Sequence, residues 1–248
     1  MTITIPSHSI TKQQLSILHH LLRFRFLTRI QIQTLLNHKH PGQINKWLKN
    51  LSNQHLIYKI YDKTFPDNTK PAVYCLDKKC ITFLNQQNEI DPLLIKRIYK
   101  DKKRTKRFIN HSTIIADLFI KVSEQFNVKN GKLYFYTKTD LLEYDFMLKP
   151  LPDIYVAVEN EIETKRYFIE VLDNDTPRFV LRNRIKNYIE YFLSEQWQIN
   201  TSYSFPEILI ICANDLTNKF LEKFVKNSLI NEGSPPINFL IVKKLPLL

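Results

Sequence analysis

Glycine is nearly missing from this chain: 248 residues include three, Gly42, Gly131 and Gly233. Spaced so far apart, they cannot form G-x-G-x-x-G or G-x-x-x-x-G-K-[ST], so the glycine-rich cradles that hold nucleotide phosphates are excluded. Cysteine is as scarce. Cys75, Cys80 and Cys212 cannot build a disulfide framework, and no C-x-x-C or H-x-x-x-H spacing offers a zinc site. His19, His20, His38, His40 and His55 are scattered and form no metal set. The longest apolar runs, such as residues 208–213, fall far short of the roughly 20 residues that a membrane span needs. Residues 1–14 lack the charged and then apolar regions of a secretory signal. These absences lead to the expectation of a cytoplasmic protein with no membrane partner.

What is present is a globular composition. Hydrophobic residues make up 44% of the chain and aromatics 12%, too much apolar side chain for disorder, and the length suits one or two domains. Lys and Arg number 36 against 24 Asp and Glu, a formal charge of +12, which points to a polyanionic partner, nucleic acid above all. The charge is lopsided. Residues 1–107 hold 20 basic and 6 acidic residues, a net +14, and residues 108–248 hold 16 and 18, a net −2. The step follows the basic run 96–107, which divides the chain into residues 1–95, a basic linker at 96–107, and residues 108–248.

Three helical patterns open the basic half. Thr11 suits an N-cap ahead of Leu15, Leu18, Leu21 and Leu22, and Thr28 suits a second ahead of Ile32, Leu35 and Leu36. Pro41-Gly42 opens a third helix, with Ile44, Trp47, Leu48 and Leu51 inward. Its polar face carries Gln43, Asn45, Lys46, Lys49, Asn50 and Asn53, amide and ammonium groups suited to base edges and phosphates in a major groove. Two β-prone runs, 56–61 and 72–76, flank a turn-rich loop at 62–71 that contains Lys63 and Lys70. Three short helices and a hairpin make the winged-helix order. This half is therefore expected to bind double-stranded DNA, with the third helix in the groove, Arg23, Arg25 and Arg29 on phosphates, and the two lysines at the wing tip.

The second half reads as a helix at 111–126 and strands at 133–136, 152–158 and 167–172. A helix through Arg182, Arg184, Lys186, Tyr188 and Tyr191 follows, then an apolar run at 207–212, a helix at 216–229 and a strand at 237–242. The apolar run suits a buried central strand, and the order implies an α+β chain whose second half is a mixed sheet flanked by helices. Asp153 opens one strand and Glu170 lies late on the next, so antiparallel pairing brings two carboxylates together. Such a pair can hold Mg²⁺ and activate water for phosphodiester hydrolysis. Pro152-Asp153 and Glu170-Val171-Leu172 resemble the PD-(D/E)xK nuclease motif, but the lysine position holds Leu172, on the same face as Glu170 by two-residue alternation. Lys186 on the next helix is the candidate replacement, and Asp173 and Asp175 are candidate caps for that helix.

Taken together, the pattern resembles the replication-relaxation family of plasmid and mobile-element proteins. The resemblance rests on residues 15–36 with their core Arg23-Phe24-Arg25-Phe26-Leu27-Thr28-Arg29-Ile30-Gln31-Ile32, the third helix running to Leu56-Ile57, and the strand 72–76. It continues through His111-Ser112-Thr113, Pro152-Asp153, Phe168-Ile169-Glu170-Val171-Leu172-Asp173 and Lys186-Asn187-Tyr188. It implies an N-terminal winged helix, a restriction-endonuclease-like domain at 108–248, and a role in plasmid replication or mobilisation through DNA binding.

Three functions are then in play. One is a DNA-binding protein with an inactive nuclease-like domain and no cofactor. Another is a Mg²⁺-dependent DNA endonuclease using Asp153, Glu170 and Lys186. The last is a dimeric transcriptional regulator or relaxosome accessory, docking copies of itself or replication and mobilisation proteins through Tyr155, Tyr167, Tyr188, Tyr191 and Trp197.

Overall fold

Thr11 and Thr28 begin their helices by the same device. In α1 (Lys12–Phe24) the Thr11 hydroxyl accepts from the Gln14 N–H at 3.2 Å, and the Gln14 side chain accepts from the Thr11 N–H at 3.0 Å. Thr28 and Gln31 repeat this reciprocal cap on α2 (Arg29–Leu35). α3 (Pro41–Asn53) starts on a proline, at the position where a helix has no use for the missing N–H. The computed structural model describes residues 10–86, 92–127, 131–173 and 175–243. The chain divides into two units, Met1–Ala116 and Asp117–Leu248, and the division falls inside α6 (Lys106–Asn127).

In the first unit, Ile17, Leu18 and Leu21 of α1, Ile32 of α2, and Ile44, Leu48 and Leu51 of α3 are buried, the stripes expected of three amphipathic helices. Strands β1 (Leu27–Thr28), β2 (Ile57–Ile60) and β3 (Val73–Leu76) form an antiparallel sheet in the order β1-β3-β2. Ile57 lies opposite Leu76 and Ile60 opposite Val73, so β2 and β3 are a hairpin around the loop 61–72. α4 (Lys78–Gln86) and α5 (Pro92–Ile98) follow. The run 96–107, expected as a linker, is instead built into this unit. Asp101 is buried and ion-paired with Arg25, Lys102 pairs with Asp77 at 2.7 Å, and Ile109 joins a cluster with Phe26 and Cys75.

The second unit is a five-stranded mixed sheet whose strands lie in chain order: β4 (Lys132–Thr137), β5 (Ile154–Glu159), β6 (Thr164–Val171), β7 (Glu207–Ile211) and β8 (Phe239–Val242). The first three pair antiparallel and the last three parallel. The central strand is β6. The apolar run expected there is β7, still paired on both edges and buried through Ile208, Leu209 and Ile210. The parallel steps are made by α7 (Arg178–Leu193), α8 (Gln196–Thr201) and α9 (Asp215–Asn231). Asn214 caps α9 by accepting from the Thr217 N–H at 2.8 Å. α7 begins after Pro177 with no side-chain cap, so Asp173 and Asp175 do not have the capping role expected of them.

Phe168 of β6 is fully buried among the rings of Tyr155, Tyr188, Tyr191, Trp197 and Phe205, with centroids 5.2–6.4 Å away. Tyr167, Tyr188, Tyr191 and Trp197 are buried too. Four of the five aromatics expected at an interface therefore belong to the core of their own unit.

Candidate functional site

Two places in the structure gather the residues that the sequence singles out. On α3, the 100° step per residue puts Asn45, Lys46, Lys49 and Asn53 within an arc of about 100°, turned away from Ile44, Leu48 and Leu51. All four are exposed, and Gln43 is half-buried beside them. Asn50 is drawn aside: its Oδ1 accepts from Gln14 Nε2 at 2.8 Å and from Gln54 Nε2 at 2.6 Å, which ties α3 to α1. In the hairpin loop Lys63 is exposed and Lys70 pairs with Asp67 at 2.7 Å. The loop is not purely basic, because Lys106 at the start of α6 grips both Asp62 at 2.9 Å and Asp67 at 2.7 Å. Hydrogen bonds from the Thr64 hydroxyl and from Lys106 hold the Asp62 carboxyl well below the usual carboxylate range, and Lys106 with Lys70 lowers that of Asp67.

The three arginines differ. Arg23 lies over the Phe24 ring at 5.5 Å, and Arg29 donates to Gln33 Oε1 at 2.7 Å. Arg25, expected on a phosphate, is engaged inside its unit. Its Nε donates to Asp101 Oδ2 at 3.0 Å, its Nη2 donates to Asp101 Oδ1 and to the Arg97 carbonyl, and its guanidinium covers the Phe108 ring at 5.2 Å. Burial pushes the Asp101 carboxyl up, and Arg25 counteracts it.

The second place is the end of the hairpin β5–β6. Thr137 pairs with Ile154, and Ile154 with Ile169. One step further along the same register, Lys138, Asp153 and Glu170 stand side by side, and directly opposed residues of antiparallel strands share a face. The expected meeting of Asp153 and Glu170 is thus present, with an ammonium beside them. Lys138 Nζ lies 2.5 Å from Asp153 Oδ1, and the Val171 N–H donates to Asp153 Oδ2 at 2.8 Å. Glu170 Oε1 accepts from Tyr188 Oη at 2.5 Å and from Arg184 Nη2, while Arg184 Nη1 donates to the Pro150 carbonyl. Arg184 and Tyr188 stand one turn apart on α7 and reach the same carboxylate.

Asp153 and Glu170 are both buried. Burial drives the Glu170 carboxyl upward, the Asp153 charge adds to that, and Arg184 and Lys138 oppose it. Burial would lower the Lys138 ammonium, but the Asp153 and Glu170 charges outweigh it and hold the group charged. Tyr188 is pushed well up by burial and by Glu170. Lys186 stands apart from this cluster: two residues on from Arg184 it points about 200° away around α7, and it is exposed.

A model of the replication-relaxation family matches residues 18–208, most of the chain. The chain belongs to the replication-relaxation family. No curated protein matches it. Among solved structures it is similar to a zinc-responsive MarR family member, Lactococcus lactis ZitR, at 21% identity over 50% of this chain and 81% of that one, with a TM-score of 0.27. The S. aureus MepR–DNA complex matches at 20% identity over 46% and 80%, TM-score 0.28. The restriction endonuclease FokI bound to DNA matches at 13% identity over 92% of this chain but 42% of that one, TM-score 0.30.

In this replication-relaxation protein the sequence pattern finds the two carboxylates but not their cations. Lys138 was reachable in principle, since extending the 133–136 strand by two residues puts it level with Asp153. Arg184 and Tyr188 need the packing of α7 and leave no local signal. The cluster as built does not fit a divalent cation. Mg²⁺ seeks open carboxylate oxygens, whereas here two carboxylates face two cations, and both Asp153 oxygens and Glu170 Oε1 already accept hydrogen bonds. Among the described residues no group of three His, Cys, Asp or Glu side chains could hold a metal ion.

Proposed function

We propose that this replication-relaxation protein binds double-stranded DNA through its first unit and does not cleave it. On this reading α1–α3 and the β2–β3 hairpin are a winged helix, α3 enters the major groove, and Lys63 and Lys70 on the wing approach the phosphates. The process served is replication or mobilisation of a plasmid or mobile element. One observation carries the reading: the exposed Asn45, Lys46, Lys49 and Asn53 face of α3, in a segment of the chain with a net charge of +14. Amides can read base edges and ammonium groups can hold phosphates.

A gel-shift titration over a range of salt tests it. Binding is expected to weaken steeply with salt, and Lys46→Ala or Lys49→Ala should each reduce the log–log salt slope by about one. Failure to bind duplex at low salt, or indifference to salt, would overturn the reading.

The second reading, a metal-dependent endonuclease with a restriction-endonuclease-like second unit, draws on the row Lys138, Asp153 and Glu170. That row brings together the acid, acid and amine of the PD-(D/E)xK set. The pairing of Glu170 with Arg184 and of Asp153 with Lys138 favours the non-cleaving reading instead.

A further inference from the structure

The sheet face that carries Asp153 and Glu170 continues into a cleft of about 470 Å³. The β4–β5–β6 register lays it out in rows: Tyr136, Tyr155 and Phe168 stand next to the carboxylate row, and Tyr134, Ala157 and Arg166 come next. Rings from beyond the strands complete the walls. Tyr144 lies 6.4 Å from Tyr136, and Trp197 lies 5.1 Å from Tyr155. The Arg166 guanidinium lies over the Tyr203 ring at 3.9 Å, and among the described residues its buried Nε has no hydrogen-bond partner. Tyr144 and Tyr203 remain exposed at 37% and 51%, so these rings stay open to solvent at the mouth of the cleft.

We propose that this cleft binds single-stranded DNA by taking up an unstacked base. Aromatic faces are the sequence-tolerant platform for unpaired bases, and arginine adds a cation that stacks as well as pairs with phosphate. At the end of the aromatic floor away from the carboxylates, Arg166 and, 3.9 Å from Glu159, Lys132 stand as the cations that a strand's phosphates can meet. Glu159, which accepts from the Tyr134 hydroxyl at 3.3 Å, stands at the rim as an acceptor that the ring N–H of an unpaired thymine can meet. A duplex keeps its bases stacked and paired and cannot offer one to the cleft without breaking a step. The inference goes beyond the duplex reading of α3 and does not depend on it.

The test uses the full-length protein and fluorescence anisotropy with labelled oligothymidylate, with a duplex of mixed sequence measured in parallel. Tyr144→Ala and Tyr203→Ala are exposed changes, and circular dichroism checks that each variant folds. Each is expected to weaken single-strand binding about ten-fold while duplex affinity stays unchanged. In a Trp47→Phe background, which leaves Trp197 as the sole tryptophan, the single strand should quench the emission. Retained single-strand binding in variants of α3 that have lost duplex binding would further support the cleft. The inference is overturned if the single strand does not bind, if both tyrosine variants bind it as well as the parent, or if they lose duplex binding equally. It is also overturned if thymidine monophosphate quenches Trp197 as strongly as the oligomer at equal concentration, since that is a small-molecule site.

Discussion

Arg25 shows how far a single charged side chain can depart from its apparent purpose. It ends α1 with a positive φ of 67°, a backbone conformation that costs a non-glycine residue roughly 1–3 kcal/mol. Its guanidinium is held by the buried Asp101 carboxylate, with side-chain exposures of 12% and 1%. Removing Arg25 leaves the buried Asp101 charge with only the more distant Arg104, 3.6 Å away, to offset it. Arg25→Ala is therefore expected to destabilise the fold by roughly 3–5 kcal/mol in urea denaturation, while the salt slope of duplex binding in the folded variant stays as it was. A changed slope with unchanged stability would return Arg25 to the phosphates. Sequence could not distinguish the two roles, because Asp101 lies 76 residues away and the local pattern shows only a basic residue after a helix. Asn50 is a similar case, legible as a polar face residue but not as the partner of Gln14.

At the scale of elements, the first unit was largely legible. Two capping boxes, a proline start and three apolar stripes are local signals, and they fix α1, α2 and α3 without reference to the rest of the chain. The hairpin was legible too, from its two β-prone runs around a polar loop. The clasp that closes the loop was not, since Lys106 reaches Asp62 and Asp67 across 44 and 39 residues.

That clasp has a pH signature. Both carboxyls titrate below their ordinary value of 3.8, so the contribution of the clasp is present above that value and is lost as pH falls below it. Amide resonances of the loop 61–72 should stay fixed from pH 7 to about pH 4 and shift only at lower pH. Lys106→Ala should move that onset upward, towards the ordinary carboxylate value. An unchanged onset would mean that the clasp is absent in solution.

For the molecule as a whole, the net charge of +12 conceals a division of labour. Residues 1–107 supply the entire positive excess, and the second unit surrounds its carboxylates with its own cations. The protein is expected to bind and not cut: supercoiled plasmid incubated with Mg²⁺ should remain intact. Nicking that disappears in Asp153→Ala would restore the endonuclease. The charge step and the antiparallel meeting of Asp153 with Glu170 were legible from composition and strand order. The neutralising cations were not, because they come from a strand end and from a helix face whose placement only the packed sheet defines.

The same neutral row also bears on how such a site can change over generations. Arg184 and Glu170 are exposed by 10% and 7%, so a substitution that removes the arginine alone leaves a buried charge, a loss of roughly 3–5 kcal/mol and a large share of the stability of an ordinary domain. Arg184 and Glu170 are therefore tied to each other in any further change: neither can be lost alone without stranding its partner in the interior, so the two must change together.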